Sequence, residues 1–285
     1  MKISSINLEA FYALSQTLNF SVAALKIGLT QSALSQRIAK IEDQLEVTLF
    51  IRDSKNVTLT TSGLRLLRYC QVHAIHENNF LSELFSDSTQ LKGTIRIAAF
   101  SSVLRSLIIP ALNPLKKSNP EINFEFSCLE VIDLYPALQQ AKCDIAILDY
   151  QLKKSGIVEH IIGHEEYVVI KSKKLISPDV YLDHGPHDNA TESFFLAQSD
   201  QPKIFRRTFM GDVYGIIDGV ELGYGQAVMS RHLIKNNKNI KILSKYKKYF
   251  RPITLNFFES PYYSKLHLAV VEQLILHSKK ILNQH

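Results

Sequence analysis

The sequence predicts an α/β protein built from an N-terminal winged helix-turn-helix, a long linker helix and a C-terminal two-lobed α/β domain. Three observations lead to this prediction: helical patterns followed by a hairpin pattern near the N-terminus, a stretch without Gly or Pro from residue 64 to 85, and strands that alternate with helices from residue 93 onward. We place the three parts at 1–62, 63–90 and 91–285. Within the last part, lobe I is placed at about 91–164 and 262–285, and lobe II at about 165–261.

The composition excludes several classes of protein. Hydrophobic residues make up 46% of the chain and charged residues 21%, which is typical of a folded chain rather than a disordered one. No apolar run reaches the roughly 18 residues that a membrane span needs, and the N-terminus does not resemble a signal peptide. The cysteines Cys70, Cys128 and Cys143 lack CxxC spacing, which argues against a disulfide framework and a zinc site. We therefore expect a cytoplasmic protein without a cofactor or a metal ion.

The net charge of +6 does not by itself locate a nucleic-acid site. Residues 1–89 contain eight basic and eight acidic residues, so the excess of positive charge lies in residues 90–285. Seven basic residues lie between Lys235 and Arg251 with no acidic residue among them. This run favours a solvated face with edge strands guarded by Lys, and an anion-steering patch is the alternative.

Two helices joined by a tight turn are predicted in the N-terminal part, after a first helical pattern from Leu8 to Leu18. Asn19 or Ser21 is a suitable N-cap for the first of the pair, Gly28 ends it, and Thr30 caps the second. The apolar residues of the second helix form one stripe at spacings of 4, 3 and 4: Leu34, Ile38, Ile41 and Leu45. This arrangement is typical of a helix-turn-helix.

The opposite face of the second helix suits a DNA major groove. Ser32, Ser35 and Gln36 can hydrogen-bond to base edges, and Lys40 can reach a phosphate. A plain three-helix bundle with a solvated polar face fits the periodicity equally well. The segment that follows favours DNA binding, because a strand from Thr48 to Arg52, a turn, and a strand from Val57 to Leu59 predict a wing. Phosphate contacts are expected from the side chains of Gln31, Arg52 and Lys55.

The N-terminal residues also resemble a known family. The residues that carry the resemblance are Phe20-Ser21-Val22-Ala23-Ala24, Ile27, Gln31, Ser35, Ile38, Ile41-Glu42, Leu45, Leu49-Phe50-Ile51-Arg52 and Leu59-Thr60-Thr61-Ser62-Gly63. In order and spacing they resemble the DNA-binding region of LysR-type transcriptional regulators. The segment from Thr30 to Ile38 looks most like the branch that contains the arginine- and lysine-responsive regulator ArgP. Val22 and Leu25 depart from the family, which usually has polar residues there, and would extend the core or contact another chain.

The linker helix carries a heptad-like apolar stripe. The stripe consists of Leu67, Cys70, Ala74, Leu81 and Leu84, with Glu77 interrupting it. A helix of roughly 35 Å with one apolar stripe needs a partner surface. Packing within the chain is the commoner fate of such a stripe. Because this helix bridges two modules, we expect the stripe to be the dimerisation contact of a homodimer or homotetramer, and the family resemblance also implies dimerisation. A polar hinge is expected at 86–90.

The C-terminal part reads as parallel βαβ units. Predicted strands are Gly93–Phe100, Asn123–Leu129, Asp144–Leu148, Glu166–Lys171, Val180–Asp183, Ile204–Phe209, Gln226–Ser230 and Ile253–Phe258. Helices are expected after Ser102, at Asp133–Ala141, Thr191–Ala197 and Val213–Leu222, and at about Ser264–Leu282. We expect the chain to cross between lobes near Ile162–Tyr167 and to return near Pro261. The pattern resembles the periplasmic-binding-protein-like effector domain of the LysR family.

An effector site is predicted beyond the carboxyl ends of these strands, where open α/β sheets bind ligands. Ser101 and Ser102 begin a helix whose free N–H groups can bind an anion, although they would serve equally as a simple cap. The other expected effector-binding residues end strands or precede helices: Glu130, Asp149, Asp183, His184, Gly211 and Asp212. An anion site beside several carboxylates suits a small zwitterion such as an amino acid.

These expectations describe a sequence-specific transcriptional regulator that binds double-stranded DNA and a small, carboxylate-bearing effector. Catalysis is not expected, because no nucleophile and base are placed together, and Gly223-Tyr224-Gly225 lacks the context of a nucleotide loop. The alternative is an architectural or replication-inhibiting DNA-binding protein that needs no ligand. A solute-binding protein is a further rival, against which the missing signal peptide argues.

Overall fold

A computed structural model describes residues 3–53, 56–84, 91–175, 179–199 and 206–283. The chain divides into two compact units. The first comprises Met1–Thr89 with Gln139–Lys142, and the second comprises Gln90–Leu138 with Cys143–His285. Among the described residues, no helix is both long and apolar enough to cross a bilayer.

The N-terminal unit contains three helices, a two-stranded hairpin and a long helix. Its elements are α1 (Ser5–Thr17), α2 (Phe20–Lys26), α3 (Gln31–Leu45), β1 (Phe50–Arg52), β2 (Val57–Leu59) and α4 (Thr61–Leu84). The strands pair antiparallel, with Phe50 opposite Leu59 and Arg52 opposite Val57. The predicted winged helix-turn-helix is therefore confirmed.

The predicted stripe of α3 forms the core of this unit. Leu34, Ile38 and Ile41 are completely buried, and they share a cluster with α1 and the wing, where the rings of Phe11 and Phe50 lie 5.3 Å apart. Gly63 allows α4 to start against the wing, because a Cβ there would lie 2.2 Å from the Leu49 carbonyl oxygen. The apolar period of the sequence thus determines how the DNA-binding unit packs.

The second unit begins with alternating strands and helices. Its elements are β3 (Gly93–Ala99), α5 (Ser101–Val103), a π-helical segment (Leu104–Ile108), α6 (Ile109–Ser118), β4 (Ile122–Cys128), α7 (Val131–Gln139), β5 (Ile145–Leu148) and β6 (Ile157–Ser172). The chain continues with β7 (Val180–Asp183), α8 (Ala190–Leu196), β8 (Arg206–Phe209), α9 (Val213–Glu221), β9 (Ala227–Ser230), a 3₁₀ turn (Arg231–Ile234), β10 (Ile240–Ile242), β11 (Tyr249–Phe258) and α10 (Lys265–Asn283).

The main sheet is mixed rather than purely parallel. Its order is β10-β6-β11-β5-β3-β4, with β9 also paired to β6. Strand β3 runs parallel to β4 and β5, as the βαβ pattern predicts, whereas β6 is antiparallel to β9, β10 and β11. A small second sheet pairs β7 with β8 in parallel.

Two long strands, β6 and β11, connect the lobes. Strand β11 pairs with β5 of lobe I through Thr254–Asn256 and with β6 along its whole length, with a bulge between Ile253 and Thr254. The expected crossing near Ile162–Tyr167 lies in β6, while the return runs through β11 and precedes Pro261. Separate apolar clusters fill the lobes, one around Ile97 and Val270 and another around Ile170 and Val220.

Candidate DNA interface and effector cleft

The exposed face of α3 carries most of the predicted DNA-binding side chains. Gln31, Ser32, Gln36 and Lys40 are exposed, and Ser35 is half-buried. The Thr30 side chain caps the helix by accepting a hydrogen bond of 3.2 Å from the Ala33 N–H. Capping fixes where the helix starts, so these side chains project from a defined position.

Arg52 is held on the side of α3 by three contacts. Its guanidinium lies 4.6 Å from the centre of the Phe20 ring, 3.5 Å from Ser35 Oγ and 3.8 Å from Glu42 Oε2. Glu42 Oε1 accepts hydrogen bonds from the N–H groups of Leu49 and Phe50 at 2.7 and 3.2 Å. One carboxylate therefore links the wing to α3 and orients Arg52 beside the exposed face.

Three further sequence expectations concern this unit. Lys55 lies outside the described residues, although Asp53 N–H donates to the Asn56 carbonyl across the turn at 2.9 Å. Val22 and Leu25 are exposed, Leu25 by 82%, so they do not extend the core. The core side of α2 is formed instead by Ala23 and Ala24.

The apolar stripe of α4 divides into an internal part and an exposed part. Leu67 is 7% exposed and belongs to the core of its own unit, and Cys70 packs against the same core. The packing of Leu67 and Cys70 inside their own unit differs from the predicted contact between chains, because the first turns of α4 cover α1 and the wing. Ala74 is half-buried, Leu81 is 42% exposed and Phe80 is 59% exposed, while the side chain of Leu84 lies outside the described set.

In the second unit, polar groups from both lobes meet between them. His184 Nδ1, after β7 in lobe II, lies 3.5 Å from Glu130 Oε2, after β4 in lobe I. Gly211 donates its N–H to the His184 carbonyl at 2.9 Å, and Asp212 caps α9 by accepting from Gly215 N–H at 2.9 Å. Burial, together with Glu130 and Asp212, raises the pKa of the nearby Cys128 thiol. Four predicted residues are thus brought together here.

Asp149, at the carboxyl end of β5, pairs with Arg251 of β11. The carboxylate and guanidinium lie 2.8 Å apart, and Arg251 also donates to Asn189 Oδ1 of lobe II at 2.8 Å. Ser101 starts a continuous helical segment that runs through α5, the π-helical turn and α6, and Ser102 is buried beside it. The contacts of Glu130 with His184 and of Arg251 with Asp149 and Asn189 lie between the lobes, in the region called the cleft below.

The comparisons with known proteins agree with this architecture. Residues 6–64 match the model of the bacterial regulatory helix-turn-helix protein of the lysR family, and residues 88–244 match the LysR substrate binding domain. The chain belongs to the LysR family of transcriptional regulators. It is accordingly a DNA-binding regulator with an effector-binding domain, and the family is not one of enzymes.

Individual relatives of this LysR-family regulator are distant. The transcriptional activator TtdR of Escherichia coli is 30% identical over 232 residues, which cover 78% of this chain and 67% of TtdR. Three other curated relatives are covered over only 39%, 54% and 64% of their length. ArgP from Mycobacterium tuberculosis superposes with a TM-score of 0.83 at 16% identity, covering 97% of this chain and 98% of ArgP. LysG from Corynebacterium glutamicum, solved with the bound effector Arg, gives 0.78 at 14% identity, covering 97% and 98%.

In this regulator, the carboxylate of Asp183 binds residues of its own lobe, lobe II. Its carboxylate is 1% exposed, accepts a hydrogen bond of 2.5 Å from Thr191 Oγ1 and forms an ion pair with Arg207. Burial raises the pKa of the carboxyl, and Thr191 and Arg207 oppose that rise. Arg207 also pairs with Glu192 and contacts the Asp188 carbonyl. Asp183 thus stabilises the loop that presents His184 and Asn189.

A second polar group that the sequence does not reveal lies where the lobes meet. Ser106 Oγ of the π-helical segment is 2.7 Å from His232 Nε2 of the 3₁₀ turn, and His232 Nδ1 is 2.7 Å from Ser230 Oγ and 3.5 Å from Glu165 Oε1. The spacing superficially resembles a Ser-His-Glu triad. Ser106 however gives its hydroxyl hydrogen to the Ser102 carbonyl at 2.6 Å, so His232 donates to Ser106 rather than accepting its proton. This geometry does not activate a nucleophile.

Glu165 is a fully buried carboxylic acid of the cleft with a strongly raised pKa. Burial raises the pKa of its carboxyl from 4.5 to about 7, with Asp149 adding to the rise and Ser230 and Arg251 opposing it. One feature of the sequence could have identified Glu165, namely a charged residue within the segment that is predicted to cross between the lobes. Across the described part of the chain, no group of three His, Cys, Asp or Glu side chains is arranged to hold a metal ion.

Proposed function

We propose that this regulator binds a specific operator as a homo-oligomer in the cytoplasm, and that a small, carboxylate-bearing effector bound between the lobes of its second unit changes operator binding. The observation that carries the proposal is a set of polar contacts between the lobes, in which His184 lies beside Glu130 and Arg251 joins Asp149 to Asn189. A ligand that contacts both lobes binds closed and open forms with different affinity. Such a difference is what shifts a conformational equilibrium.

Operator recognition is proposed to use α3 and the wing. Ser32, Ser35 and Gln36 would contact base edges, while Gln31, Lys40, Arg52 and Lys55 would contact phosphates. The exposure of the α3 face and the fixed position of Arg52 support this assignment. Because residues 1–89 are electrically neutral, one copy offers little non-specific attraction to DNA. Paired half-sites on a dimer or tetramer would supply the missing affinity.

Self-association is proposed to use the exposed apolar residues of α4. Tyr69, Phe80 and Leu81 remain exposed after Leu66 and Leu67 have packed inside the unit. Apolar side chains at these positions gain free energy when a second copy removes them from water.

The effector is proposed to carry a carboxylate, bound at the helix start of Ser101 and Ser102. That start follows the end of β3, where Ala99 lies opposite Cys128 of β4, two residues before Glu130. The first N–H groups of a helix have no helix partners, and the helix dipole favours an anion there. Glu130, His184, Gly211 and Asp212 would form the opposite wall. Asp183 would act indirectly, because its carboxylate is already bound by Thr191 and Arg207.

The decisive experiment maps the DNA bound by the full-length protein and then measures affinity for the strongest site by fluorescence anisotropy. Arginine, lysine, glutamate and succinate are each added, since arginine is the effector seen in the similarly folded LysG. We expect one of them to change the operator Kd at least about fivefold, the lower end of typical coupling between sites. Specific binding that no ligand alters would favour the ligand-independent architectural alternative. Equal affinity for operator and random DNA would refute sequence-specific regulation.

A further inference from the structure

Glu165 is a buried carboxylate that accepts no hydrogen bond of normal geometry from the described residues. It lies in β6, where the strand crosses between the lobes, and is 1% exposed. Neither of its carboxylate oxygens is within hydrogen-bonding geometry of a described donor, although the Ser230 hydroxyl is near enough to lower its pKa. An unpartnered buried carboxylate is costly, because the charge has left water without replacement of its hydrogen bonds. Such a group is retained where something else binds it or where it serves a function.

The surroundings place Glu165 on the floor of the cleft. Its direct cross-strand neighbour is Arg251, so both side chains lie on one face of the sheet. Tyr167 and Ser230, a second cross-strand pair, continue that face. Beyond them lie Asp149 from lobe I and His232 and Asn189 from lobe II.

The charges at this floor do not balance. Arg251 is the only side chain of this group that is always positive, and it is committed to Asp149 at 2.8 Å and to Asn189. Glu165 is left with His232 Nδ1 at 3.5 Å, which is already hydrogen-bonded to Ser230. The ionised form of Glu165 therefore has only Arg251, which it shares with Asp149, and an imidazole that is positive only when protonated.

We propose that Glu165 is the counter-ion for a cationic nitrogen of the effector, an ammonium or guanidinium group. This inference rests on the proposed effector cleft and narrows its ligand to small molecules that carry both a cation and a carboxylate. The cation would donate to the two free oxygens of Glu165 while the carboxylate binds at the helix start. Entry requires the lobes to separate where Ser106 contacts His232, because Nδ1 of that histidine lies 3.5 Å from Glu165.

The test is isothermal titration calorimetry on the full-length protein with L-arginine, L-citrulline, L-glutamate and succinate. Citrulline replaces the guanidinium of arginine by a neutral urea group of almost the same shape, and succinate carries no cation. We expect at least one of the ligands that carry a cation to bind, and succinate to bind at least about tenfold more weakly. This factor corresponds to the smallest typical contribution of a hydrogen bond to a charged group. If arginine binds, the same comparison with citrulline tells whether the side-chain cation or the α-ammonium contacts Glu165.

Proton release gives a readout that is independent of affinity. Because the pKa of Glu165 is about 7, the carboxyl is partly protonated at pH 7 and would lose its proton when a cation binds. The binding enthalpy of the wild-type protein should therefore vary with the ionisation enthalpy of the buffer. In Glu165→Gln the affinity should fall about 10- to 100-fold and the buffer dependence should disappear.

Glu166→Gln is the matched control. Glu166 is the next residue of β6 and pairs with Arg231 at 2.9 Å, away from this cluster, so its replacement should alter neither readout. Thermal melting of both variants checks that they fold. Tightest binding by succinate, or wild-type affinity in a folded Glu165→Gln protein, would overturn the inference while leaving effector sensing intact. Failure of the whole panel to bind would refute the proposed effector class and this inference with it.

Discussion

The hydroxyl of Ser106 in lobe I and Nε2 of His232 in lobe II lie 2.7 Å apart, so a side-chain hydrogen bond joins the lobes in addition to the two crossing strands. Beside it, the Arg105 guanidinium lies 4.2 Å from the centre of the Tyr214 ring of α9. Both contacts come from the irregular helical segment after α5. A π-helical turn often marks a functional position because it redirects side chains, and here it turns two successive residues towards the opposite lobe.

Removing this contact should loosen the lobes. Ser106→Ala eliminates the hydrogen bond and should cost about 1 kcal/mol, the typical net contribution of one such bond. Hydrogen exchange should become faster at residues 231–234, because the 3₁₀ turn loses its attachment to lobe I. Ser244→Ala, at an exposed position of lobe II, is the control. Unchanged exchange at 231–234 in Ser106→Ala would mean that the crossing strands alone hold the lobes.

Two substitutions should separate base recognition from phosphate binding. Gln36→Ala removes an exposed side chain of α3 and should cost roughly 1–3 kcal/mol on the operator while sparing random DNA. Arg52→Ala should weaken binding to both DNAs and flatten the salt dependence of the Kd, because a phosphate contact is lost. Anisotropy titrations at several salt concentrations measure both effects. Unchanged operator preference in a folded Gln36→Ala protein would refute the assignment of the reading face.

The local patterns of the N-terminal unit predicted its structure well. The spacing of Leu34, Ile38 and Ile41 predicts a helix with one buried face, because that packing depends on the period of a single element. The stripe of α4 was harder to interpret. Periodicity identified Leu67 and Leu81 as one stripe, but whether each packs against its own chain or remains exposed depends on how far α1 and the wing extend along the helix.

The sheet of the second unit was only partly predictable. Alternation of strands and helices correctly predicted the parallel pairing of β3, β4 and β5. The first half of β6 was missed, because Gly163 and its flanking His residues do not read as a strand, and β10 was missed because it has three residues. The sequence predicted the strand ends at the cleft. Ser106, Glu165 and His232 are far apart in the sequence and meet only through tertiary packing, so the sequence did not predict this cluster.

The two parts of the α4 stripe should respond differently to substitution. Leu81→Glu places a charge at an exposed apolar position and should lower the oligomeric state measured by light scattering, with little effect on folding. Leu67→Ala should instead destabilise the unit by roughly 2–5 kcal/mol through a core cavity, with the oligomeric state retained in the folded protein. If Leu81→Glu leaves the molar mass unchanged, α4 does not supply the contact between copies.

Glu165 should make the protein less stable as the pH rises from about 4.5 to about 7. In this window the unfolded chain loses the proton, whereas the folded chain keeps it, because burial raises the folded pKa to about 7. The difference between the two pKa values corresponds to at most about 3 kcal/mol. Glu165→Gln should therefore gain stability relative to the wild type between pH 5 and pH 8 in melting experiments without ligand. Parallel pH profiles of the two proteins would contradict this.

His267 should act in the opposite direction at acidic pH. Its ring lies 4.8 Å from Phe257 and 5.0 Å from Tyr263 between ring centres, and its Nε2 is buried with no hydrogen-bond partner among the described residues. Burial lowers the pKa of His267 from 6.5 to about 4, although Asp144 opposes the shift. The unfolded chain takes up the proton first as the pH falls, so the stabilisation present above pH 6.5 is lost progressively towards pH 4.

His267→Phe retains an aromatic ring at this position and removes the titration. The variant should lose less stability than the wild type when the pH falls from 7 to 5, with a maximum benefit of about 3 kcal/mol over the whole window to pH 4. His187→Gln, in an exposed turn, should follow the wild-type profile and serves as the control. Melting temperatures between pH 4 and 7 measure the effect. If His267→Phe and the wild type lose stability equally, the imidazole of His267 becomes charged without leaving its aromatic pocket, and burial does not control its protonation.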